Sequence, residues 1–440
     1  MIRDTHRRNP AVAVLLVAIA GCTSAPPPLR TPSPPPVSAP ANDVSWEDGL
    51  SLDEAMTVAM RRNPTLLAAR ERHGVAAALR TQAGVYPFNP EVLVGSRTDA
   101  PYRDRGDSKF DAELAQTIET GGQRGHRLAV AEAEGRRIGW EVLDVERTTR
   151  EEVIATFFRV LVLEKKVGLA DQALELARTL EEISEKRVRA GDLPALEANV
   201  SRIEVQKARK AQIEARTALK RERFALCRLL GEPPREDIKL VGDIAAAAPG
   251  PAGDLAVRAL ESRPDLQAAR AAVESADRWL GLARSQRAPD VTLSAQYEME
   301  RSVDDQGADV GQFFGGGITV PLPLWNRQQG EIALAGAGGA VARAQVAALE
   351  RGMVIEVASA DERFRLARAI VDTYEKELLP LVKTNLDLNE AAFRAGQVST
   401  LLRLKAQQDY IDTNSAYLDV LAELHEARAA LESAIGTRGP

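Results

Sequence analysis

Two periodicities alternate along the chain. Val291, Leu293, Ala295, Tyr297 and Met299 fall on every second position, with Thr292, Ser294, Gln296 and Glu298 between them. Phe314, Gly316, Ile318, Val320 and Leu322 repeat the alternation after a polar, acidic turn at 303–308. Earlier, Val92 and Val94 pair with Phe110, Ala112, Leu114 and Ile118 around a turn at 97–108. A period of two places these residues on one face of a strand, so the pattern predicts two β-hairpins. Apolar-out, polar-in alternation over about ten residues marks a membrane barrel, and equally a soluble hairpin with one buried face.

The segments between the hairpins decide between the two. Residues 123–190 contain no proline and are strongly helix-forming, which gives a helix roughly 100 Å long at about 1.5 Å per residue. The chain turns at Gly191 and returns as a second helix to Gly231. The second hairpin is followed by the same plan, 328–394 and then 399–435, with Leu379-Pro380 predicting a kink or break. Helices of this length do not fit a compact domain; they pack lengthwise as coiled coils.

The chain also repeats itself once, at about 200 residues, too long a period for a solenoid. Asn63-Pro64-Thr65-Leu66 returns as Arg263-Pro264-Asp265-Leu266, Pro90 as Pro289, Arg124 as Arg327, and Arg189-Ala190-Gly191 as Arg394-Ala395-Gly396. Each half opens with a short helix, Ser51 and Glu54 forming a capping box in the first. Asn63 then caps a second helix with Pro64 at its first position.

Composition fits long helices better than a globular core. Hydrophobic residues make up 45% of the 440 but aromatics only 4%, so apolar bulk comes from Ala and Leu. A formal charge of −6 gives no general basic face for phosphates, which argues against nucleic acid. At the N-terminus Arg3, Arg7 and Arg8 precede an apolar run from Ala11 to Ala20. That run is too short to span a bilayer, which takes about 20 residues, and reads as an export signal. It ends in Ile19-Ala20-Gly21-Cys22, which resembles the bacterial lipobox, with Cys22 acylated; Thr23, in place of an Asp, favours the outer membrane. Residues 26–40 are rich in Pro and Ser, a semi-rigid tether. No later run reaches 18 apolar residues, so membrane passage falls to strands.

LSLDEAMTVAMRRNPTLLAAR, the paired hairpins and PLPLWNRQQGEIALA together resemble the TolC-type outer-membrane efflux proteins over residues 48–437. PLPLWNRQQGEIALA and QTIETGGQRGHRLAVAEAE are most similar to the cobalt–zinc–cadmium resistance lipoprotein branch. The resemblance implies a mainly α chain with a membrane β-barrel part: coiled-coil hairpins plus two β-hairpins, trimerising into a twelve-stranded barrel continued by a helical tube. Four strands alone cannot close, since about eight are needed even for a filled barrel. The implied function is a passive exit duct in the outer membrane, fed by an inner-membrane pump through a periplasmic adaptor, with heavy-metal cations among the expected cargo. The expected layout is a lipoprotein signal (1–21), an anchor and tether (22–47), a first efflux repeat (48–240), a linker (241–252) and a second repeat (253–437). A soluble periplasmic coiled-coil lipoprotein, acting as adaptor or scaffold, is the alternative.

Candidate sites follow. The resemblance puts adaptor contacts at the hairpin tips, Arg189 and Gly191 in the first half and Arg394 and Gly396 in the second. A helix-ending glycine accounts for the same residues. Just beyond the tips the family places acidic residues ringing a closed aperture; Glu197 matches, whereas Leu402 and Lys405 break the pattern in the second half. Solvated helix charges are the plainer account. His73, His126 and His425 have no metal-ligand spacing, and GGQRG lacks the Lys-Ser/Thr ending of a phosphate loop. The sequence therefore predicts no enzyme, cofactor or metal centre. Cys227 reads as a buried helix residue.

Overall fold

The computed structural model describes residues 49–98, 107–192, 194–245, 250–251, 253–304, 307–395 and 397–436, without the side chains of Thr98, Glu197, Val303, Asp304, Thr400 and Leu401. Helix α1 (Leu52–Arg62) begins at Ser51, whose hydroxyl accepts from Glu54 N at 3.3 Å while the Glu54 carboxylate accepts from Ser51 N at 2.9 Å. Helix α2 (Pro64–Gly84) starts at Asn63 with proline in its first turn. Strands β1 (Glu91–Thr98) and β2 (Ser108–Ile118) follow, then the 67-residue α3 (Gln123–Arg189) and its return α4 (Ala195–Leu230). The second half reads α5 (Leu255–Ser262), α6 (Pro264–Ser285), β3 (Val291–Asp304), β4 (Gly307–Thr319), α7 (Gln329–Thr373), a π turn (Tyr374–Leu378), α8 (Leu379–Arg394) and α9 (Thr400–Ile435).

All four strands form one antiparallel sheet in the order β1-β2-β3-β4. The central β2–β3 pairing joins the two halves, with Ile118 opposite Val291 and Phe110 opposite Met299. Below the sheet, α2, α3, α6 and α7 pack side by side in that order. Lower still the order becomes α4, α3, α9, α8, because α3 continues past the end of α2 and pairs with its own return helix. The described residues thus form a layer four elements wide from sheet to hairpin tips.

The main core sits where the halves meet. Val153, Phe157 and Val160 of α3 pack with Leu226 and Leu230 of α4 and with Leu424 and Leu431 of α9. Each fully buried leucine contributes roughly 1.5–3 kcal/mol. Leu50 closes this core from the side, exchanging backbone bonds of 2.9 Å with Lys239 and Val241. Arg159 ties three helices together across it, reaching Glu222 at 2.5 Å and Glu426 at 2.8 Å. Cys227 is buried in the same cluster.

Three expectations change in detail. Strand β4 ends at Thr319, so Val320 and Leu322 lie in the following loop, where prolines 321 and 323 remove backbone donors from a ladder. The turn of the second hairpin is correspondingly tighter than 303–308, since β3 runs to Asp304 and β4 begins at Gly307. At Leu379-Pro380 the helix does not break: the π turn immediately before it absorbs the missing amide, and α8 continues. One window within Gln329–Arg394 has a mean hydropathy of 1.4, with 17% of it buried, so by length and composition this helix too could cross a membrane.

Candidate channel wall and hairpin tips

The ladder registers sort the sheet into two faces. Val92, Val94, Phe110, Ala112, Leu114, Ile118, Leu293, Ala295, Tyr297, Phe314 and Ile318 share one, because Val92 opposes Leu114, Ala112 opposes Tyr297, and Tyr297 opposes Phe314. This face is open: Phe314 is 80% exposed and Ile318 72%. Tyr297 and Phe314 meet at 5.0 Å between ring centroids, a cross-strand aromatic pair that helps fix register. The other face carries Asp111, Glu113, Thr292, Ser294, Gln296, Glu298 and Glu300. There Thr117 and Thr292 share a hydrogen bond of 2.9 Å, and Lys109 pairs with Glu298 at 2.6 Å. Acidic residues dominate this polar wall.

Among the described residues no strand pairs with the outer edge of β1 or of β4, and such an edge is costly in lipid unless another strand pairs there. Apolar side chains line the edge helices as well: Leu67 and Val75 on α2, Ile203 and Ile213 on α4, Leu334 and Val341 on α7, Leu381 and Leu388 on α8 are all exposed.

The two tips are built alike. At the first, Gly191 takes φ +81°. Its amide donates to Val188 O at 3.1 Å, and Asp192 N donates to Arg187 O at 2.9 Å. These paired bonds are a Schellman cap, which demands a left-handed residue where Gly191 stands. At the second, Gln397 N donates to Ala392 O at 2.9 Å, the counterpart of the Asp192 bond; Gly396 itself lies outside the described residues. Arg189 is exposed at the end of α3, and Arg394 pairs with Glu390 at 3.3 Å on α8. Arg403 lies over the Phe393 ring at 4.7 Å, closing the second tip by a contact that no sequence spacing announces.

Of the three aperture candidates, Glu197 belongs to the first turn of α4, but its side chain is outside the described set. Leu402 is half-exposed and gives its amide to the Ser399 hydroxyl at 3.3 Å, so its place is set by the N-cap of α9. Lys405 is engaged by Asp409 at 2.7 Å, one turn further along its own helix. That hydrogen bond and charge hold the Lys405 ammonium above its ordinary range. Cys22 lies outside the described residues. Among the described residues no group of three or more His, Cys, Asp or Glu is arranged to hold a metal.

Comparison with known proteins bears on this geometry directly. The sequence model of the family described as outer membrane efflux protein matches residues 56–232 and again 255–437. The chain belongs to the outer membrane efflux protein family. Within it, the cobalt-zinc-cadmium resistance protein CzcC of Cupriavidus metallidurans is 26% identical over 387 residues, covering 88% of this chain and 90% of that protein. The CmeC outer membrane channel of Campylobacter jejuni superposes with a TM-score of 0.74 at 15% identity, covering 89% of this chain and 88% of that one. The open state of the MtrE outer membrane channel of Neisseria gonorrhoeae gives 0.71 at 18% identity, covering 88% of each. This efflux protein is an outer-membrane exit duct of the TolC type, extending into the periplasm. Its relatives are channel proteins.

Proposed function

We propose that three copies close edge to edge, β4 of one pairing with β1 of the next, into a twelve-stranded barrel standing on a helical tube. The observation that carries this reading is the single four-stranded sheet with one open apolar face, one carboxylate-rich face and two unpaired edges. Lipid takes the apolar face; the polar face lines the conduit. The exposed apolar residues on α2, α4, α7 and α8 supply matching helix seams below. Conduction is passive, the cargo being delivered by an inner-membrane pump through a periplasmic adaptor that meets the tips around Arg189, Gly191, Arg394 and Gly396. Likeness to CzcC favours heavy-metal cations as cargo, and Cys22 adds a lipid anchor ahead of the tether at 22–47.

The test is to isolate the protein from outer-membrane fractions and reconstitute it in planar bilayers. Heat-resistant trimers that conduct are expected. A monomer that never conducts and releases into the periplasm once the lipid anchor is removed would point instead to a soluble coiled-coil lipoprotein.

A further inference from the structure

Three glycines sit on the carboxylate-rich face of the sheet, each opposite or beside a side chain that lies down over it. Gly95 pairs with Asp111 across β1 and β2, and a Cβ built on Gly95 would stand 2.8 Å from the Asp111 carboxyl carbon. Gly317 pairs with Ser294, and a Cβ there would meet the Ser294 hydroxyl at 2.8 Å. Gly311 lies two residues before Phe313 on the same face of β4; its Cβ would meet Phe313 Cε2 at 3.0 Å and Cζ at 3.3 Å. In all three places the neighbour occupies space that any other residue would fill.

The consequence is largest for Phe313. It is the aromatic residue among the described residues of a mostly polar and charged wall whose other large apolar side chain is Leu93, and it is 57% exposed. A phenyl ring standing upright on a barrel wall projects into the bore; lying over Gly311 it runs along the wall instead. None of the three glycines has a positive φ, so the backbone at each accepts a β-branched residue, and strands favour one. Conformational need therefore does not account for glycine there, while side-chain space does.

We propose that Gly95, Gly311 and Gly317 set the bore of the barrel, as berths that keep Asp111, Phe313 and Ser294 flat against the lumen wall, and that Phe313 is its main movable obstruction. The proposal rests on the trimeric-barrel reading, in which the polar face is the lumen. It assigns a size-determining role to residues far from the periplasmic tips, so the extracellular half of the duct filters cargo by width independently of the aperture.

The experiment uses the full-length protein in planar bilayers with polyethylene glycols of graded size added from the barrel side, which gauges that mouth rather than the tips. Gly311→Val is expected to lower the size of the largest polymer admitted, by forcing the ring upright, and Gly95→Val to do so less. Phe313→Ala is expected to raise it, and Gly311→Val with Phe313→Ala to return it to the parent value or above. Phe314→Ala, on the opposite face, leaves it unchanged. Separately, Phe313→Cys and Phe314→Cys are treated with a charged, membrane-impermeant thiol reagent; Cys227 is buried and serves as a silent background. Labelling of 313 and not 314 is expected. Equal or reversed labelling, or a parent that forms no pore, overturns the barrel reading and this proposal with it. Correct labelling with a polymer cut-off that none of the variants moves overturns the berth proposal alone.

Discussion

Asn63 does alone what Arg263 and Asp265 do together. The Asn63 side-chain oxygen accepts from Leu66 N at 3.0 Å, capping α2, while its amide nitrogen donates to Leu229 O at 2.9 Å near the end of α4. In the second repeat the equivalent amide, Leu266 N, donates to Asp265 at 2.9 Å, and the carbonyl Ala434 O accepts from Arg263 at 3.3 Å. Asp265 and Arg263 in turn hold each other at 2.7 Å. Asn63 and Arg263 are both buried, so these bonds join each repeat's opening turn to the end of its own returning helix without solvent competition.

Substitution should expose this division of labour. Asn63→Asp keeps the cap but loses the donor, leaving Leu229 O unpaired beside a carboxylate; a loss of about 1–3 kcal/mol is expected. Arg263→Asn alone leaves the Asp265 carboxylate, largely buried, without its partner and should cost at least as much. Arg263→Asn with Asp265→Thr recreates the Asn-Pro-Thr of the first repeat and is expected to recover most of that loss. Denaturant midpoints in detergent measure all three; a double variant no better than Arg263→Asn would show that the two turns are not interchangeable.

The two faces of β3 give a second test. Leu293 and Ser294 are adjacent but belong to opposite faces. Leu293→Arg near mid-bilayer should cost about 2–4 kcal/mol, against little for Ser294→Arg in the lumen. Folding into vesicles under a urea gradient reads the difference, and equal cost at both positions would count against a lipid-facing apolar side.

Much of this architecture is legible in the sequence because its signals are local and periodic. Alternation from Val291 to Met299 names a strand and its faces, and the proline-free run names α3. The matched Asn63-Pro64 and Arg263-Pro264 turns reveal the repeat. What stays hidden depends on distance along the chain. Nothing near Asn63 says that it reaches Leu229, and nothing in alternation says that β2 pairs with β3 rather than folding as separate hairpins. At the aperture the i, i+4 spacing of Lys405 and Asp409 was readable and is the contact formed. The ring of Phe313 over Gly311 depends on a rotamer, which a sequence pattern does not encode.

Acid should loosen the core at one histidine. His425 is buried, stacked on Phe158 at 3.5 Å between centroids, with Nε2 2.7 Å from Ile244 O; Asp243 and Arg428 are the charged groups acting on it. Burial, assisted by Arg428, pushes its pKa below the ordinary value despite the Ile244 carbonyl. The unfolded chain therefore takes up a proton first, at about pH 6.5, so stability is full above that pH and falls as pH drops towards the folded value. His425→Gln retains a donor without titrating and is expected to flatten that slope between about pH 5 and 7. Thermal melts at several pH values check this; an unchanged slope would assign it to other groups.

Mass spectrometry of the mature N-terminus tests the anchor. Acylated Cys22 as the first residue is expected, and Cys22→Ala should lose the anchor yet retain channel activity, since the barrel holds the protein in the membrane by itself. An unmodified chain beginning elsewhere would remove the lipoprotein assignment.

The last prediction concerns closure at the tips. If three chains close as proposed, the resemblance places three Glu197 and three Lys405 around one opening just beyond Gly191 and the second tip. Opposite charges on neighbouring helices are then expected to latch it shut. Within one chain Lys405 is already held by Asp409 at 2.7 Å, so the latch would have a competitor, and that exposed pair is weakened by salt. Lys405→Glu sets a carboxylate against Glu197 and Asp409 alike and should raise conductance and antibiotic leakage, less so at high salt. Glu197→Lys leaves the Lys405–Asp409 pair in place, so an increase there points to the latch, and the double exchange should restore closure. Asp409→Asn frees Lys405 for Glu197 and is expected to lower conductance. If Glu197→Lys conducts like the parent and the exchange rescues nothing, Lys405 acts only through Asp409 on its own helix and no charge latch exists.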